Sequence, residues 1–160
     1  MNINKIKTMV IIFLLFFTNG CEDDGPVSTL TPESATISGT ITFTGTWPVS
    51  GDIAVSLSST WPPTGAPAAS VSITYLDLTN NTYTYTFENV SFGEYGAISV
   101  SWLDPDDNNP ASNQHIIGSY GGTANYIYGP YFDATSITVS ETQYTLTGKD
   151  FGADLSMVGQ

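Results

Sequence analysis

The sequence predicts an all-β chain folded as a single antiparallel β-sandwich of seven or eight short strands. Three observations carry that expectation. Apolar residues alternate with Ser and Thr at a period of two in run after run, the spacing of half-buried strands. Gly, Pro and Asn clusters separate the runs at short intervals. No stretch after the first twenty residues shows the apolar spacing of an amphipathic helix.

The most informative stretch is Thr82 to Asp104. Tyr83, Tyr85 and Phe87 alternate with Thr84, Thr86 and Glu88, putting three rings on one face of a strand. Gly93 breaks the run, and Ile98, Val100 and Trp102 then alternate with Ser99 and Ser101. Read locally, these are two strands paired through Asn89–Gly93, with a second sheet required to cover the aromatic face.

Taken from the beginning, Met1 to Lys7 carries two lysines and no acid, and Met9 to Phe17 is uniformly apolar. A helix spanning the bilayer needs about twenty apolar residues, so this short segment reads as a secretion signal covering residues 1–20. It is followed by Thr18-Asn19-Gly20-Cys21, with Cys21 the only cysteine of the chain. A lone Cys after a small residue at the end of such a core resembles the lipobox of bacterial lipoproteins, although Thr18 stands where that pattern usually has an aliphatic residue. The resemblance implies cleavage before Cys21 and acylation of its thiol and new N-terminus, which is enough lipid for stable anchoring. Glu22-Asp23-Asp24 resembles the acidic tag with which some Gram-negative lineages send lipoproteins to the outer face of the outer membrane. Residues 21–34 are then an acylated Cys and a flexible tether, and residues 35–158 are the sandwich.

All fifteen acidic residues lie after residue 21, together with one of the three lysines, a formal charge of −14 without an arginine. Nucleic acid binding and phosphate clamps need more cations than the one lysine that follows residue 21.

Within the domain, Ile37, Ile41 and Phe43 face inward along Ala35 to Gly45. Gly39 takes an inward slot, the mark of a bulge or of a close backbone approach. Ile53, Val55 and Leu57 form a second strand, and Thr60 to Ala69, with three prolines, must be a loop. Val71, Ile73 and Tyr75 give a third strand. Asn80-Asn81 suits a tight turn into the aromatic strand, because Asn tolerates positive φ. A polar run to Asn113, a strand from His115 to Tyr120, and a Gly- and Tyr-rich segment from Gly121 to Phe132 follow. Ile137 and Val139 mark a seventh strand, and Leu146 to Leu155 an eighth that bends at Gly148 or Gly152.

GTITFTG, GDIAVSL and YTYTFENVSFGEYGAISVSWLD together resemble the carboxypeptidase regulatory-like domains of the transthyretin (prealbumin-like) fold. Phe87, Asn89, Val90, Gly93 and Tyr95 take the places of that family's pattern, while Ser91-Phe92 departs from its usual proline. The resemblance implies a seven-stranded sandwich serving as a non-catalytic accessory, stalk or binding module.

Candidate sites are few. His115 is the only histidine and stands beside Ile116-Ile117, so it reads as a strand residue more readily than as a general base. No nucleophile, base and orienting group can be assembled, and the chain is expected not to be an enzyme. Asp104, Asp106 and Asn108 offer oxygens at alternate positions, as in the first half of a calcium loop, but the twelfth position is His115 instead of a bidentate Glu. Ca²⁺ is therefore the one cofactor suggested, with no other implied. Trp47, Trp61, Tyr126, Tyr128 and Tyr131 stand among Gly and Pro residues, where rings either plug the ends of a sandwich or stack on sugars. The expected function is an adhesive, structural or accessory binding role for a lipid-anchored surface module. The alternative is a carbohydrate-binding lipoprotein that uses these rings, assisted by calcium, and a glycan or a protein is the expected partner.

Overall fold

The structure, a computed structural model, describes residues 31–109, 112–122 and 133–158. It is all-β, with two four-stranded sheets packed face to face. The first sheet has the order β10-β1-β4, with β9 also on β1, and the second has the order β3-β2-β6-β7. Here β1 is Ala35–Thr44, β2 Asp52–Ser58, β3 Ala69–Ile73 and β4 Thr82–Val90. They are followed by β5 Gly93–Tyr95, β6 Ala97–Leu103, β7 Gln114–Ser119, β8 Ile137–Val139, β9 Thr145–Leu146 and β10 Phe151–Asp154. A small ribbon of β5 and β8 lies outside both sheets. All pairings are antiparallel except those of β1 with β9 and β10, which run parallel.

The inward set follows the alternation. Ile37, Ile41, Phe43, Ile53, Val55, Leu57, Tyr85, Phe87, Ile98, Val100 and Trp102 are all buried in one core. Three of its rings tie their polar atoms to loop carbonyls, as buried Tyr and Trp require. Tyr85 Oη donates to the Lys149 carbonyl at 2.7 Å, Tyr95 Oη to Ser91 at 2.8 Å, and Trp102 Nε1 to Ser50 at 2.9 Å. The core thereby fixes three connections as well as the strands.

Two local expectations are corrected. The aromatic strand and the strand of Ile98, Val100 and Trp102 are not partners. β4 pairs with β1 and β6 with β2, so the chain crosses from one sheet to the other after Asn89, whose φ of 56° turns it. Tyr75 is not on a strand either. β3 ends at Ile73, and Tyr75–Asp77 form a 3₁₀ turn capped by Asp77, whose Oδ2 accepts from the Thr74 N–H and hydroxyl. Elsewhere the local signals hold. Asn80 and Asn81 both have positive φ in a two-residue turn closed by reciprocal Thr79 and Thr82 bonds. The last strand is broken at Gly148, φ 68°, into β9 and β10.

The connections define two ends. The upper end holds the Gly45–Gly51 link between β1 and β2, the 3₁₀ turn, and the loop from Asp104 to Asn113. The lower end holds the start of β1 at Ala35, the end of β2, and the ribbon of β5 and β8.

Candidate functional site

The outward face of the second sheet is unusual. Cα pairings place Ser70, Ser56, Ser99 and Ser119 opposite one another in a single row across β3, β2, β6 and β7. The next row contains Ser72, Ala54, Ser101 and Ile116. In a two-layer sandwich such a face meets water, and short hydroxyl residues suit it. Here it is covered. All the buried polar residues described are serines of this face: Ser56, Ser58, Ser99, Ser101 and Ser119.

Part of the cover is the proline-rich loop after β2. Its base is fixed by the Ala68 N–H donating to the Leu57 carbonyl at 2.8 Å, by a Thr60–Thr64 hydroxyl pair at 2.9 Å, and by Trp61, which packs against the core. Between this loop and the sheet lies a cleft of about 720 Å³. Pro63 to Pro67 form one wall, and the floor is Ala54, Ser56, Ser70 and Ser101. Leu103, Asn113 and Gln114 form the lip at the upper end, with Ile116 beside them. Among the described residues, no charged side chain lines it.

The hydroxyls keep capacity to bond. Ser56 and Ser70 share one bond at 2.9 Å, and Ser101 accepts from Gln114 Nε2 at 3.1 Å. A hydroxyl has one donor and two acceptor sites, so each retains at least one. Ser99 Oγ, in register between Ser56 and Ser119, is fully buried with no hydrogen-bond partner among the described residues. The arrangement can bind an uncharged polar group from several directions. It supplies no nucleophile–base pair.

The residues singled out in the sequence lie elsewhere. Trp47 is half-buried at the upper end, edge-on to Phe43 at 5.4 Å and tilted against Tyr75 at 6.2 Å. Trp61 is half-buried at the lower end, beyond the far terminus of β2. A seven-residue strand separates them by roughly 20 Å, so they cannot form one stacking platform. Tyr126, Tyr128 and Tyr131 lie outside the described residues. His115 packs against Trp102, ring centroids 5.3 Å apart.

In the acidic loop the carboxylates cap their own backbone. Asp104 Oδ1 accepts from the Asp106 N–H at 2.9 Å. Asp107 Oδ1 accepts from the Asn109 N–H at 2.8 Å, and its Oδ2 from the Ser112 hydroxyl at 2.6 Å. Those two bonds, the Ser112 one foremost, hold the Asp107 carboxyl below its ordinary pKa. Asp106 and Asn108 are exposed. Among the described residues, no three His, Cys, Asp or Glu side chains gather closely enough to hold a metal ion. This loop shapes the cleft lip, because the Asp104 N–H donates to the carbonyl of Asn113 at 2.8 Å.

Sequence reasoning missed the cleft. Its signal was present as serines at the outward positions of SLS, ASVS and ISVS, but three aligned serine strands look like solvent-facing strands until the covering loop is placed. No family model, curated protein or solved structure matches the chain. Among the described residues, no helix is long and apolar enough to cross a membrane.

Proposed function

We propose that this chain is a lipid-anchored, non-catalytic β-sandwich module that binds a ligand at the bacterial surface. In this reading Cys21 carries the lipid, residues 22–34 are the tether, and the Glu22-Asp23-Asp24 cluster directs the protein to the outer face of a Gram-negative outer membrane. The observation that carries the binding role is the neutral cleft between Pro63–Pro67 and the serine rows, a concave site built on a rigid sheet. Its lip at Gln114 is at the end of the sandwich opposite Ala35, where the tether joins the domain.

The resemblance to carboxypeptidase regulatory-like domains is consistent with this role, and the motif residues have physical reasons to be there. Asn89 holds positive φ at the crossover, Val90 and Tyr95 are buried, and the Tyr95 hydroxyl closes the turn onto Ser91.

The test is metabolic labelling of the full-length chain with a fatty-acid analogue, followed by antibody binding to intact cells. Label incorporated in the natural chain and lost in Cys21→Ser, with antibody reaching unpermeabilised cells, is the expected result. An unlabelled chain, or one accessible only after permeabilisation, overturns the anchored surface reading.

A further inference from the structure

We infer that the cleft beneath the Pro63–Pro67 loop is a binding site for a neutral, hydroxyl-rich ligand, a short stretch of uncharged polysaccharide. The inference deepens the binding role proposed above and rests on it.

The lining decides the ligand's charge. Among the described residues, no ionised group of either sign faces the cleft. An anion would meet no compensating cation: Lys149 lies outside the lining, with its Nζ 5.1 Å from the centroid of the Tyr120 ring. It would also approach past Asp104, Asp106 and Asp107 on the loop that forms the lip. A cation would find no carboxylate to pair with inside, since Asp104 and Asp107 accept bonds from their own loop. Burying either ion without a partner is unfavourable.

The lining also decides the ligand's polarity. Ser56, Ser70, Ser101, Thr64, Asn113 and Gln114 surround apolar patches of Ala54, Leu103 and Ile116. Hydroxyl and amide groups both donate and accept, as do the hydroxyls of a sugar, whose C–H faces suit the small apolar patches. A hydroxyl-bearing ligand in the cleft would meet the unused bonding capacity of Ser56, Ser70 and Ser101, which line it. The volume, about 720 Å³, is that of a site for a small-molecule-sized segment, and the site takes a stretch of a chain rather than a whole polymer.

This differs from stacking on loop rings. Trp47 has no part in it, and Trp61 acts only by pinning the loop that forms one wall.

The experiment is affinity electrophoresis of the purified full-length protein in mild detergent, through gels containing uncharged polysaccharides (dextran, starch, xylan, a β-1,3-glucan) or anionic ones (alginate, pectate). Gly65 lines the loop wall of the cleft and a Cβ there would meet nothing within 4 Å, so Gly65→Trp adds a bulky ring to that wall without a clash. Retardation by at least one neutral polymer, abolished in Gly65→Trp, weakened severalfold in Gln114→Ala and unchanged in Trp47→Ala, is expected. An unchanged thermal midpoint in Gly65→Trp keeps loss of binding distinct from loss of fold. No retardation by any neutral polymer overturns the inference, as does retardation that survives Gly65→Trp or that appears only with the anionic polymers. Fatty-acid labelling of the same preparation separates failure here from failure of the anchored reading, because a labelled protein that binds none of the polymers sinks only the ligand assignment.

Discussion

The backbone carbonyl of Lys149 occupies the place where a side chain at Gly39 would have to go. β1 keeps its inward alternation through Ile37, Gly39 and Ile41, and gives the middle slot to the link between β9 and β10. That link takes over the ladder locally. The Lys149 N–H donates to the Ser38 carbonyl at 3.1 Å, and the Thr40 N–H donates to Asp150 Oδ1 at 2.7 Å. Gly39→Ala would press a methyl group against backbone, which cannot swing aside as a flexible side chain can. We expect a destabilisation of about 1–3 kcal/mol, read as a lowered urea midpoint at constant slope. An unaltered midpoint would mean that the link moves away freely.

Tyr85 closes the same junction from the opposite strand. Burial raises its phenol pKa well above the ordinary 10.0, with the charge of Asp150 adding to it. The sign follows from linkage. The contribution is fully present below pH 10.0, the unfolded value, and is lost as pH rises towards the folded one. Tyr85→Phe should lower stability at neutral pH by about 1 kcal/mol, and should flatten the fall in stability at alkaline pH. Equal alkaline slopes in the two proteins would show that Tyr85 is not the group responsible.

The cap made by Asp107 titrates in the other direction. Its folded pKa lies below 3.8, so its hold on Ser112 and Asn109 is present above that value and is lost as pH falls through the folded one. Amide exchange at Asn109 and Ser112 is expected to quicken in strong acid before the core strands do. In Asp107→Asn these amides should already exchange faster at neutral pH. Exchange unaffected by either change would mean that the loop is held by other groups.

Ser99 and Ser101 make a matched pair of opposite sign. Ser99→Ala removes a buried hydroxyl that has no partner among the described residues, and should raise stability by about 1 kcal/mol. Ser101→Ala removes the acceptor of the Gln114 amide, and should lower stability by about 0.5–1.5 kcal/mol. Thermal midpoints of the two variants check this. A loss of stability in Ser99→Ala would show that its hydroxyl is bonded in solution.

Much of the fold was legible because side-chain period is a local property. Ile37, Ile41 and Phe43, or Tyr85 and Phe87, declare the inward face of a strand whichever strand lies beside it. Pairing is not local. Phe87 and Ile98 are near in sequence and both face inward, yet they belong to opposite sheets, because the chain crosses at Asn89. The misreading of Tyr75 had a different cause. Thr74 and Asp77 carried a capping signal at the right spacing, and the alternation of Val71, Ile73 and Tyr75 overrode it. The candidate site was the least legible part. An outward serine looks the same whether water or a loop covers it, and only the folded chain brings Pro63 to Pro67 over Ser56 and Ser101.

The bond from Tyr85 to Lys149 has a consequence for digestion. After Lys7 the chain offers a trypsin-like protease one basic residue, Lys149. The carbonyl carbon such an enzyme must attack bears the oxygen that accepts the Tyr85 hydroxyl, and the N–H of the same residue donates to the Ser38 carbonyl. Cleavage therefore requires the β9–β10 link to detach from β1, with local unfolding at the centre of the first sheet. To a protease of that specificity the domain presents a single bond, and the fold keeps it shut.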